Sequence, residues 1–538
     1  MPSPEHEAYR KSVLRWCRAR AADPESDVEP QLLRHGRALA ILWELDLALA
    51  RPILAVGYAT NPRGGKPWDP VVLLRCFLLM LLVGQPSINK WIADLAGSRL
   101  LRVLAGFPAD DGPGVATLYD YLDRLHDGQL HGGEDAQRPS DAQRRRAQTA
   151  RPPQRADKPP KAPKRGRRAR RLARQDKAVA KAPVADPSVT AQLVEALKPG
   201  EPFASPLDLL ERLGALLRAV AVRGSLARGL LGAKTTIAIA GDGSPLRTGA
   251  NQYGKRACDH RWRERCDCPR IYADPDARVG WDHYREQHFF GHHFYEIIAS
   301  VGGHDLPLAI RLDPANTTDH TASLRTLDRL FKVLPELGLT ITHFIADAGH
   351  DSEANHRYCL DHGVRAVIPL RGDVPAQVHG VAVSKRGIPT CEALVEMAPR
   401  GSAAPNRPIF MCPVVTGKLP RCPLAPEEQH DWRCKPGLKG GPTVTVDTRT
   451  NPRLFTAVPR NSPTYTKLYK LRSGCERSNS VKKVAFKLEE ARHRRASYWL
   501  IRLHFIAVLQ HAMAWVNDEA VQPLVDHLLG RPPRLKQA

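Results

Sequence analysis

The chain has 538 residues, 42% of them apolar, which is enough for two to four domains with a substantial core. A formal net charge of +24 points to a polyanionic partner, nucleic acid above all. No run approaches the roughly 18 consecutive apolar residues of a membrane span, and MPSPEHEAYRKS lacks an apolar signal region, so a cytoplasmic protein with no membrane contact is expected.

Residues 1–126 read as an all-α unit. Its clearest helix begins at Asp69-Pro70, a capping carboxylate followed by proline at the first helical position, and stops near Gly84. Ser87 caps the next helix, and Gly112-Pro113-Gly114 precedes a further one. Residues 127–195 are poor in apolar side chains and rich in Pro, Arg, Lys and Gln. Between Arg144 and Lys181 there are 16 Lys and Arg against two Asp. Such a segment cannot offset its ordering entropy and reads as a disordered basic linker that binds phosphates without sequence preference. The rest of the chain is still basic.

The core, 196–372, opens on helices. A β-branched run then ends in Asp242, followed by Gly-Ser-Pro. Residues 289–301 and 306–313 read as a hairpin around Gly302-Gly303. A helix from about 319 to 335, opened by Thr318 or Asp319, leads to a second strand, TITHFIAD, ending in Asp347. A loop and helix and then VRAVIPLRG complete the order strand, strand, strand, helix, strand, helix, strand. Asp351, close behind His350, competes with Asp347 for a ligand role. Residues 373–460 interrupt the core with short β-like runs and many prolines; residues 461–518 close it, and 519–538 form a C-terminal tail.

The closing segment contains YKLRSGCERSNSVKK, in which Tyr469, Arg472, Glu476 and Lys483 fall within one arc of about 60° on a helical wheel. A carboxylate among a guanidinium, an ammonium and a phenol suits a phosphodiester better than a core. Gly474 weakens the start of this helix, which is otherwise expected to run on through SYWLIRLHFIAVLQHAMAW.

The spacing Y-x2-R-x3-E-x6-K resembles the signature of a large subgroup of DDE transposases from bacterial insertion sequences. That resemblance implies an α/β fold: an RNase H-like core, a mixed sheet flanked by helices, with a β-containing insertion and a preceding helical DNA-binding domain of helix-turn-helix geometry. It makes Asp242, Asp347 and Glu476 the catalytic and metal-binding residues, holding two Mg²⁺ or Mn²⁺ ions. It makes Tyr469, Arg472 and Lys483 DNA-binding residues. The implied partners are double-stranded DNA, as terminal inverted repeats and target, and a second copy in a homodimer on DNA, in a nucleoid-associated setting. A non-catalytic DNA-binding derivative and an RNase H-like nuclease are the competing readings.

Trp281 and Trp432 are candidates for stacking on an extruded base. Eleven cysteines without a signal segment do not form a disulfide framework. Two groups, Cys258, Cys266 and Cys268, and Cys391, Cys412, Cys422 and Cys434, admit a zinc reading, although neither has paired C-x-x-C spacing.

Overall fold

The computed structural model describes residues 2–55, 58, 67–127, 207–232, 236–253, 255–256, 270–271, 273–428, 434 and 441–532. The basic linker from 128 onward, Cys258, Cys266, Cys268 and Trp432 lie outside them.

The N-terminal helices start where capping chemistry dictates. The Pro70–Leu82 helix is capped by Asp69, whose side chain accepts from Val71 N at 2.8 Å, and Gly84 follows its end at φ +70°. Ser87 caps Ile88–Gly97 in the same manner. Ala496–Trp515 is buried along most of its length, packing on Val28–Glu44 and Pro70–Leu82 of these helices, on Leu207–Leu217, and on the strand His304–Pro314. A helix apolar on all sides belongs inside a protein or a bilayer. Here protein covers it, and among the described residues no single helix is long and apolar enough to cross a membrane. Val521–Leu528, within the stretch read as a tail, is a helix docked on Val28–Glu44.

The strands are β1 (Thr236–Arg247), β2 (Lys255–Arg256), β3 (Arg270–Ile271), β4 (Arg278–Asp282), β5 (Gln287–Val301), β6 (His304–Pro314), β7 (Thr340–Ile345) and β8 (Arg365–Val367). In the insertion they are β9 (Gln377–Val378), β10 (Val381–Ala382), β11 (Ala398–Ala404), β12 (Arg407–Met411) and β13 (Thr443–Thr445). β5 pairs antiparallel with β1 on one edge and with β6 and β4 on the other; β1 pairs parallel with β7, and β7 with β8. The β5–β6 hairpin turns at Gly302 and Gly303, φ +58° and +86°, the left-handed pair that a two-residue turn demands. A mixed sheet with flanking helices thus follows a helical N-terminal region.

Side-chain alternation separates the two faces of the sheet. Gly241 and Gly243 present their missing side chains to one face, where a Cβ at Gly241 would collide with Tyr295 Oη and one at Gly243 with Asp319 Oδ1 and His293 Nε2. Asp242 and its cross-strand neighbour Glu296 point to the other. That second face is covered by Pro463–Tyr469 and Ser473–Ser480, anchored on a cluster of Ala240, Ile298, Ile345, Val367, Val458, Tyr465 and Cys475. Gly474 marks their closest approach: a Cβ there would strike Ser300 Oγ and Asp305 Oδ1. The glycine that weakens the helix in sequence is what lets it seat.

The expected continuous helix is broken. A 3-10 turn, Lys470–Arg472, precedes Ser473–Ser480; a π-helical turn, Val481–Ala485, follows; a 3-10 turn, Leu488–Ala491, intervenes before Ala496. Lys487 and Arg492 take left-handed φ of +47° and +48° at those breaks.

Candidate active site

Asp242 and Asp347 are brought together by strand register. Ala240 pairs with Ile345 across parallel strands, and each aspartate lies two residues further on. Neighbouring strands are about 4.8 Å apart, so the two carboxylates emerge side by side. Asp347 bears on its neighbour: Asp242 is pushed up to about 7, by burial first and then by the charges of Asp319 and Asp347, against His350 and Arg472. Crowded carboxylates of this kind are what a cation relieves.

Asp347 caps the 3-10 turn Ala348–His350 and accepts from Gly349 N at 2.9 Å and His350 Nδ1 at 2.6 Å. Burial works against its charge, but the His350 bond outweighs it and holds the carboxyl below its usual range. His350 is buried, with Nε2 at 3.0 Å from Tyr295 Oη and its carbonyl accepting from Asn355 Nδ2 at 2.8 Å. Burial lowers its pKa; the Asp347 bond and the charges of Asp319, Asp347 and Asp242 overcome this and raise it. The ring therefore fixes the orientation of Asp347 from behind.

Glu476 is 56% exposed in its side chain and paired with Arg472 one helical turn earlier. Arg472 in turn acts on Asp242, so the glutamate reaches the aspartates through this guanidinium. Tyr469, half-buried and stacked on Tyr465 at 5.8 Å, adjoins Arg472 and feels Asp347 and Glu476. Lys483 turns elsewhere, to Glu489 at 3.5 Å, which also binds Arg285 in the turn after β4. Its predecessor Lys482 is buried, with Nζ at 2.5 Å from Glu296 Oε2. The π-turn accounts for this: it departs from the 100° step on which the common arc was drawn.

Asp351 is committed elsewhere. Its buried carboxylate accepts from Arg371 N at 2.7 Å and Arg453 Nη2 at 2.8 Å and lies 3.2 Å from His356 Nε2, tying the insertion to the core. Trp281 is 45% exposed and lies edge-on to His288. Asp319 and His293, 2.9 Å apart, carry no mark of a site in the sequence. Asp319 was visible only as a possible helix opener, and nothing local connects it to Gly243. Among the described residues no group of three or more His, Cys, Asp and Glu is already arranged to hold a metal ion. The donor chemistry nevertheless suits a divalent cation: the neighbouring carboxylates of Asp242, Asp319 and Asp347 offer hard oxygen donors.

The family model described as a transposase DDE domain matches residues 235–509, just over half of the chain. The chain belongs to this family. No curated protein and no solved structure matches it. Transposase DDE domains belong to enzymes of DNA cleavage and transposition, their partner is DNA, and they generally use divalent metal ions. The matched span of this transposase begins at the start of β1 and ends inside the buried Ala496–Trp515 helix, so it takes in the whole central sheet and Glu476.

Proposed function

We propose that this protein binds the terminal inverted repeats of its own insertion sequence and catalyses cleavage and strand transfer at their ends, with Asp242, Asp347 and Glu476 as the catalytic carboxylates. The observation that carries the reading is the matched position of Asp242 on β1 and Asp347 just past the end of the adjacent parallel strand β7, each two residues beyond the Ala240–Ile345 pair, with the helix bearing Glu476 packed on β1. The sheet order, with β1 between antiparallel β5, which carries β4 and β6 on its far edge, and the parallel strands β7 and β8, supports an RNase H-like core.

Asp242, Asp347 and Glu476 would hold the Mg²⁺ or Mn²⁺ ions. When bound, such ions supply charge stabilisation at the attacking and leaving oxygens of an in-line phosphoryl displacement. The chain's own groups do the positioning. Arg472 binds a phosphate oxygen at the scissile or neighbouring linkage, and in doing so releases Glu476 from its ion pair. Tyr469 packs against the same DNA end. Lys483 contacts the adjoining backbone once it leaves Glu489. Hydrolysis adds water across the P–O3′ bond and yields a 3′-hydroxyl and a 5′-phosphate. In strand transfer that 3′-hydroxyl displaces a 3′-oxygen of target DNA, so one phosphodiester forms as another breaks. A homodimer brings two ends together, and the N-terminal helices read the repeats.

The test uses DNA carrying the element's ends, with gel-shift and cleavage assays in Mg²⁺. Asp242→Ala is expected to bind the ends as the wild type does and to lose cleavage by at least about a thousandfold, roughly 4 kcal/mol of barrier. Unchanged nicking by Asp242→Ala would refute the assignment. Equal cleavage of DNA lacking the repeats would favour a nuclease.

A further inference from the structure

The insertion is a weakly cored unit. Its buried apolar cluster consists of Val383, Ile388, Met397, Phe410, Val446, Leu454 and Phe455, between strands of two to seven residues. Small units with so little core are commonly secured by disulfides or a structural metal. Four cysteines from four separate segments converge here. Cys391, Cys412, Cys422 and Cys434 all line one cavity of about 190 Å³. Cys391 precedes β11, Cys412 directly follows β12, Cys422 opens the turn to Ala425, and Cys434 comes from further along the chain.

Three of the four stand at the entrance of a tight turn: Leu394 N donates to Cys391 O at 2.9 Å, Thr416 N to Cys412 O at 3.2 Å, and Ala425 N to Cys422 O at 3.0 Å. Turns of this kind hold a side chain at a fixed angle to its cavity. Gly441 backs Cys412, where an added Cβ would lie 3.3 Å from Cys412 Cβ. The sulfurs are close enough that Cys412, Cys422 and Cys391 all act electrostatically on Cys434. The four remaining described cysteines, Cys17, Cys76, Cys359 and Cys475, are buried in other places.

We infer that these four cysteines form a structural zinc site that staples the insertion. Four thiolates satisfy a tetrahedral Zn²⁺ at about 2.3 Å per bond. Among the described residues no three such side chains are already at ligating separation, so binding draws the turns in on the ion and closes the cavity. Each thiol releases a proton on binding, and no oxidant is involved. The site is separate from the carboxylates at Asp242 and Asp347 and does not depend on their role.

The full chain, purified without a metal-affinity step, should carry one zinc per molecule by elemental mass spectrometry. Cobalt substitution should give thiolate charge-transfer bands and intense visible bands of a tetrahedral centre. Chelation should expose the 373–460 region to protease while the N-terminal helices stay protected. Cys412→Ser/Cys422→Ser should lose the zinc, and Asp242→Ala should keep it. The inference is overturned if the wild type holds no zinc and titrates as free thiols, if non-reducing mass spectrometry finds these cysteines paired as disulfides, or if the double variant retains full zinc.

Discussion

Asp242, midway along β1, should make the metal-free protein lose stability as the pH rises. Its folded-state pKa is raised from 3.8 to about 7, by burial first and then by the neighbouring carboxylates. Between those values the folded chain keeps a proton that the unfolded chain has released, so unfolding free energy falls with pH. The full effect is present above about pH 7, and about three units at 1.36 kcal/mol each set a ceiling of roughly 4 kcal/mol. Asp242→Asn removes this slope while preserving shape, since its amide oxygen can still accept from Gly243 N, which lies 2.9 Å from the carboxylate. His350, raised in part by Asp242, and Asp347, lowered, contribute slopes of opposite sign to each other, so the difference between variant and wild type reports Asp242 together with its coupling to His350.

Thermal unfolding at pH 5 and pH 8, with and without Mg²⁺, measures it. The variant should gain several degrees over the wild type at pH 8 and much less at pH 5. Mg²⁺ at ten times its Kd should restore about 1.4 kcal/mol to the wild type and little to the variant. A variant advantage equal at both pH values, or an equal response to Mg²⁺, would refute the reasoning that a carboxylate cluster lacking its cation sets this slope.

Two further substitutions test how the glutamate helix is seated. Gly474→Ala should destabilise by about 1–3 kcal/mol despite its better helix propensity, because its Cβ meets Ser300 Oγ and Asp305 Oδ1; urea unfolding checks this, and Ser300→Ala should rescue part of the loss. Lys482→Met strands the buried Glu296 carboxylate and should cost about 3–5 kcal/mol in the same assay, with Glu296→Gln added to it recovering much of the deficit.

Much of the core is visible in the sequence because its signals are local. An apolar β-branched run ending in Asp marks both β1 and β7, paired glycines mark the β5–β6 turn, and Asp69 and Ser87 mark helix starts. What escaped depends on contacts distant in the chain. Asp319 packs against β1 only because Gly243 lacks a side chain there, which no spacing rule reports. The break after Ser480 escaped because residues 481–485 carry ordinary helix formers. There the buried Lys482–Glu296 pair accompanies a π-turn, and the later breaks fall on Lys487 and Arg492 rather than on glycine or proline. Lys483 accordingly faces Glu489 instead of the carboxylates.

The Ala496–Trp515 helix has a consequence for how such a gene decays. Because the first hundred residues cover one side of it and β6 packs on another, the N-terminal helices and the central sheet do not hang together as beads on a string. A copy truncated at its 5′ end would bare that side of a long apolar helix to water, and should be cleared by aggregation or proteolysis rather than linger as a stable fragment.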